Sequence, residues 1–476
     1  MTTQARRALG AMTALLFAGL ASVQCYRAGA SGYRVGLDHS WPELAATPVE
    51  VVRDGNRLML AAPADGSDTG FLEVYVRPTI LGRLLAPRVE LTSGGRTFAQ
   101  QFEIGAAGRR YINVSTFLDG ERRDTVRISL QPRRTRIDAA QVSIVRFRNV
   151  LPDDGPVLVI APHPDDAEIA AFGLYSSRDA VVVTIGNGEL DSHGNGALIP
   201  DVEERARRLA RLRVWNSLTI PWLGGVSPDR AINLGYGPLE DLFDADARSR
   251  APDGAGDFRE FRAWNRFPVE DGEPSLERLI EDLEQIVAAV QPAVIVAPHP
   301  DLDGHIEHRL ATAALAMALD RLDYRSGTLL LYVVHLFFSN EYPTGPMHSV
   351  VSLPPRFESP VRFESIYSHD LDESAVLDKF FALESMHALR YSSDVVLPRS
   401  AATRVAKDMA NRMLGRYNDH FRRSVRANEL FFVLDLAELA DSATDSAWMR
   451  LEDLTQYCPP RPTLTLRRGS PGLGCD

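Results

Sequence analysis

Val157-Leu158-Val159-Ile160-Ala161-Pro162-His163-Pro164-Asp165-Asp166-Ala167-Glu168 is the stretch on which the fold turns. Its first residues form a continuous apolar run, the pattern of a parallel strand buried on both faces. Pro162 and Pro164 end that run, and the acidic residues after them suit the start of a helix. Similar apolar runs recur at Ala180-Val181-Val182-Val183-Thr184-Ile185, Ala293-Val294-Ile295-Val296 and Leu329-Leu330-Leu331-Tyr332-Val333-Val334. Between them lie helical patterns, such as residues 276–290 with apolar positions about 3.6 apart. Strands alternating with helices predict an α/β fold with a doubly wound, mostly parallel sheet and helices on both faces. Further helices are expected over 373–391 and 402–421, and a closing strand over 429–436.

Upstream, the texture differs. Val49-Glu50-Val51-Val52, Phe71-Leu72-Glu73-Val74-Tyr75-Val76, Val89-Glu90-Leu91 and Val126-Arg127-Ile128-Ser129-Leu130 are short β-leaning runs separated by Gly, Asp and Pro. An all-β, sandwich-like domain over 31–150 is therefore expected ahead of the α/β domain over 151–436. It carries no catalytic cluster, and its composition fits a glycan-binding module and a passive packing domain equally.

At the start, Arg6 and Arg7 precede the uncharged, mostly apolar stretch from Ala8 to Val23, and Ala28-Gly29-Ala30 offers small residues for cleavage. Residues 1–30 are read as an export signal, which places the protein in the periplasm or outside the cell. The apolar stretch is shorter than the ~20 residues that usually span a bilayer. Membrane attachment is expected only if Cys25 is lipidated. Cys458 and Cys475 remain in a tail over 437–476, either as a disulfide suited to an oxidising compartment or as free thiols.

The net charge of −11 argues against a nucleic-acid partner, which needs a basic face. Arg205, Arg207, Arg208, Arg211 and Arg213 do cluster, and they read as a solvated helix face. An apolar fraction of 45% and a charged fraction of 24% are those of a chain able to build a large core.

Chemistry concentrates at the ends of two strands. After the first, His163 and Asp166 offer an imidazole and a carboxylate, with Asp165 as a second carboxylate beside them. After the third comes Pro298-His299-Pro300-Asp301-Leu302-Asp303-Gly304-His305-Ile306-Glu307-His308. If a helix begins near Gly304, His305 and His308 share a face. One can then bind a metal while the other faces a substrate carbonyl. A single His-Pro-Asp is usually a turn, and Asp165-Asp166 alone could be a helix cap. Two such loops at the carboxyl edge of one sheet are what a catalytic metal site requires.

These two segments resemble the (A/P)HPDDxE and PHxxxDxHxDH signatures of the PIG-L / LmbE-like zinc-dependent N-acetylglucosaminyl deacetylases. The resemblance implies a Rossmann-like domain with His163, Asp166 and His308 as Zn2+ ligands and Asp165 as general base. It implies that His305, as a protonated imidazole, stabilises the oxyanion. The expected reaction is removal of an acetyl or other acyl group from an N-acetylglucosamine-type sugar, glycoconjugate or small molecule. The same site would serve esters or non-sugar amides, and a glycan-binding protein without turnover is the competing class. Glu307 departs from the signature, which has Asp there; a carboxylate for tuning a neighbouring imidazole persists, one methylene longer. The resemblance transfers no substrate-binding arginine. The loop 186–193 suits either substrate contact or a surface turn, Tyr391 resembles a late family element, and the long insertion 237–274 is read as a lid or a disordered excursion.

Overall fold

A computed structural model describes residues 38–437 except 64, 119–124, 189–198, 200, 244–257, 271, 337–341, 356–360, 362 and 387–419. The export signal, all three cysteines, the tail, Tyr391 and most of loop 186–193 therefore lie outside the described residues. So do the middle of the 237–274 insertion and nearly all of the helix expected over 402–421.

Seven strands form the central sheet: β1 (Val157–Ala161), β2 (Ala180–Gly186), β3 (Ala231–Tyr236), β4 (Val294–Pro298), β5 (Thr328–Tyr332), β6 (Ser365–Asp370) and β7 (Asn428–Asp435). Their order is 3-2-1-4-5-7-6. The first five run parallel, whereas β7 is antiparallel to both of its neighbours. The sheet is thus mixed. Every residue of β1 to β4 is buried, as continuous apolar runs demand when both faces are covered.

Alternate residues of β1 feed two cores. Leu158 and Ile160 pack with Leu279, Leu283 and Ile286 of α3 (Leu276–Val290) and with Leu310 and Leu315 of α4 (Ile306–Arg321). Val157, Val159 and Ala161 pack with Ala167, Ala171 and Phe172 of α1 (Asp166–Ser176) on the other face. Burying one such side chain contributes about 1.5–3 kcal/mol, so the strand is fixed from both sides. Helix α2 (Val202–Thr219) starts after β2, and α5 (Glu373–Glu384) after β6.

Helix α1 is broken. Ala171 has non-helical angles (φ −139, ψ 15), which frees backbone groups on both sides of the break. Glu429 of β7 accepts from the Gly173 and Leu174 amides at 2.8 and 3.0 Å. Lys379 Nζ donates to the Ile169 carbonyl at 2.9 Å and to Glu429 at 2.8 Å. A side chain at Gly173 would strike Leu371 at 2.7 Å and Glu429 at 3.2 Å.

The N-terminal strands form two antiparallel five-stranded sheets. They share one core that includes Leu58, Leu60, Val74, Val76, Ile112, Ile128 and Leu130. This all-β unit also merges with the α/β unit: Trp41, Phe71, Tyr111 and Val145 belong to the same apolar cluster as Leu158 and Phe432. Asn113 Nδ2 donates to the Val351 carbonyl (2.7 Å) and to Ser368 Oγ (3.0 Å), and Thr116 Oγ1 donates to Asp370 (2.8 Å). No helix among the described residues is long and apolar enough to cross a membrane.

Candidate metal centre

Because β1 and β4 are adjacent and parallel, the loops after them leave the sheet at the same edge. His163 follows β1 by two residues, and His305 and His308 sit at the start of α4. The five expected site residues, His163, Asp165, Asp166, His305 and His308, meet there. The helix-cap use of the Asp165-Asp166 pair does not describe what the side chains do. Asp165 occupies the cap position of α1, yet its carboxylate makes no capping hydrogen bond.

Three atoms define the centre. Asp166 Oδ2 lies 3.2 Å from His163 Nδ1 and 3.1 Å from His308 Nε2, and the two ring nitrogens are 3.3 Å apart. Donor atoms held tetrahedrally ~2.0–2.1 Å from one ion are about 3.3 Å from each other. The triangle therefore fits a zinc-sized cation with little rearrangement. Each imidazole also has a carboxylate on its far side. Glu307 Oε2 is 3.2 Å from His163 Nε2, and Asp303 Oδ1 is 3.1 Å from His308 Nδ1. Such partners fix the ring and raise its basicity as a ligand. Asp303 is itself fixed by amide donors: His305 N to one oxygen, Val334 N and His335 N to the other. His163, His305 and His308 also group within 4.8 Å, as do Asp166, His308 and His335.

Electrostatics follow from this crowding. Burial disfavours charge on His163, but hydrogen bonds to Asp166 and Glu307 reverse that effect and lift it to about 9. His308 is likewise driven upward by Asp166 and Asp303 against the cost of burial. Asp166 is held well below the usual carboxylate range, again against burial, by the charge of His308 and the hydrogen bond from His163. Imidazoles pressed to hold protons around one carboxylate mark a place where a cation can replace those protons. Asp165 is pushed upward by burial and by Asp166, a rise that Arg213 opposes. His305 is pushed down to about 4 by burial and then by His308 and His163. The His305 ring offers an N–H donor in either protonation state.

Two residues at the site were not singled out from sequence. His335 follows β5, the next parallel strand, and its position at the same carboxyl edge was the available signal. Arg213 corrects the expectation of a fully solvated arginine face. Arg207, Arg208 and Arg211 are exposed, but Arg213 is buried and reaches Asp165 Oδ1 at 3.2 Å. It falls on the stripe of α2 that carries Leu209, Ala210, Val214 and Ser217, and helical spacing from those residues was its signal.

Buried carboxylates and imidazoles gathered at the carboxyl edge of an α/β sheet form the framework of a hydrolase. Residues 158–319 match the PIG-L family model, described as GlcNAc-PI de-N-acetylase. That span runs from β1 through α4 and contains both loops of the centre. No curated protein sequence matches the chain significantly. Among solved structures, the deacetylase of an antimicrobial pseudoaglycone is similar at 16% identity, covering 60% of this chain and 99% of its own, with a TM-score of 0.34. The 4-carboxy-2-hydroxymuconate hydratase from Pseudomonas putida is similar at 16% identity, covering 59% and 96%, with a TM-score of 0.29.

Proposed function

We propose that the chain is an exported, zinc-dependent deacetylase that removes an acetyl or other acyl group from an N-acylated sugar or glycoconjugate. The observation that carries this reading is the 3.1–3.3 Å triangle of His163, Asp166 and His308, with the separate carboxylate of Asp165 beside it. The match of residues 158–319 to the PIG-L family model supports an amide on an amino sugar as the bond broken. The apolar stretch after Arg7 supports export, and the five parallel strands support a Rossmann-like origin for residues 151–436.

His163, Asp166 and His308 would hold the ion, which when bound supplies a Lewis acid and makes water more acidic. Asp165 accepts the proton of the attacking water and returns it to the departing amine. His305 donates its N–H to the oxygen that gains charge, and donors so placed are often worth ~3–4 kcal/mol of barrier.

The test combines three proteins with a panel of N-acetylated sugars, N-acetylated peptides and acetate esters. His308→Ala is expected to lose bound metal and activity together. Asp165→Asn is expected to keep the metal while turnover falls about 10²–10⁴-fold. Wild type should release acetate from the amino sugars, stop on chelation and recover with zinc. Near-normal turnover by Asp165→Asn would remove the assigned base, and release from esters or peptides alone would remove the sugar.

A further inference from the structure

Arg213 does more than fill a helix face. Its Nη2 is 3.2 Å from Asp165 Oδ1, and its Nη1 donates to the Gly188 carbonyl, also at 3.2 Å. Only 6% of the residue is exposed, so the charged fork is withdrawn from water and acts in a medium where ion pairs are strong. Among the described residues its buried Nε has no hydrogen-bond partner. Gly188 shows the same constraint from the other side. It has φ +70, and a Cβ there would lie 2.4 Å from Arg213 Nε and 2.6 Å from Cζ. Backbone angle and space both select glycine where the loop passes the guanidinium.

The contact joins three parts of the site edge: the loop after β1, through Asp165; the loop after β2, through Gly188; and the middle of α2. One oxygen of Asp165 is thereby held, which fixes the plane of the carboxylate and the direction of the other. We infer that Arg213 is a positioning residue: it aligns Asp165 for proton transfer and locks the Gly188 turn against it. This rests on Asp165 being the base. A lysine is no equivalent, because a single ammonium cannot grip two acceptors in the plane of a fork.

Arg213→Ala, Arg213→Lys and Gly188→Ala would be compared with wild type and Asp165→Asn for metal content, melting temperature, kcat and KM on the most active panel substrate. For Arg213→Ala we expect kcat to fall about 100-fold, the usual scale for a group displaced by about 1 Å, with metal content retained and KM within about threefold. Ethylguanidinium should restore part of the rate, and urea, which is neutral, should not. Arg213→Lys should remain impaired. Gly188→Ala keeps the arginine but pushes it, and should reproduce the kcat loss; it also serves if Arg213→Ala fails to fold. Normal kcat in the arginine variants, beside an inactive Asp165→Asn, would overturn the inference and leave the base standing. A loss that tracks metal content or folded fraction, with no rescue by ethylguanidinium, would reduce Arg213 to a structural role. An active Asp165→Asn would overturn the base and this inference with it.

Discussion

Glu307 shows how much a single carboxylate can decide. It is next in chain to His308 and two residues from His305, yet its oxygen meets neither ring as a partner. It meets His163, 3.2 Å away and 144 residues earlier. A ligand histidine that loses such a partner typically loses 10–100-fold in metal affinity. Glu307→Gln, whose amide oxygen can still accept from the ring, should sit near the weak end of that range, and Glu307→Ala near the strong end. Competition against a chromophoric chelator measures both; unchanged affinity in Glu307→Ala would show that His163 is oriented by something else. His163, Asp165, Asp166, His305 and His308 could be read from sequence because their signals are local: charged residues directly after apolar strands. The reach of Glu307 and the inward turn of Arg213 could not, because each depends on which way a helix faces once packed.

Among the elements, β1, β2, β4, β5 and β7 were legible to within two residues at their ends, β3 and β6 were not read as strands, and helix α3 matches its expected span over Leu276–Val290. The break in α1 was not legible. Nothing in Asp166 to Ser176 marks it apart from Gly173, and the groups that satisfy it come from far along the chain. Glu429 is 256 residues from Gly173, and Lys379 is 210 from Ile169. The break matters because the first turn of α1 carries Asp166. Lys379 and Glu429 are both about 1% exposed, so removing one partner strands a buried charge, typically at a cost of 3–5 kcal/mol. Lys379→Met should therefore lower unfolding free energy by about 3 kcal/mol or more. Adding Glu429→Gln should recover part of that loss by removing the stranded charge. Urea unfolding of the single and double variants checks this, and equal stability of Lys379→Met and wild type would mean that Glu429 finds another way to neutralise.

For the molecule as a whole, the decisive feature is how the N-terminal sheets meet the α/β unit. Their all-β character could be read from short β-leaning runs separated by Gly, Asp and Pro, but the join could not, because Trp41, Phe71, Tyr111 and Val145 look like ordinary core residues of a separate domain. In the fold they extend the apolar cluster of the central sheet. Around them, Trp41 Nε1 donates to the Pro354 carbonyl, Val350 N to the Ala99 carbonyl, and Asn149 Nδ2 to the Ile366 carbonyl. Asn113 bonds both Val351 and Ser368 from a fully buried position. An accessory module on a linker would lack such a seam, and its loss would be tolerated. Here the seam supports the segment 349–355 and strand β6, so the two units should unfold as one. Asn113→Ala should destabilise the whole chain by about 1–3 kcal/mol, the cost of leaving buried polar partners unmade. A chain beginning at residue 151 should expose the apolar seam and aggregate or melt well below the parent. Fluorescence and far-UV circular dichroism followed through one denaturant series would report a single coincident transition for the parent. Two separated transitions, or a soluble truncated chain that binds metal as tightly as the parent, would return residues 31–150 to the status of an independent module.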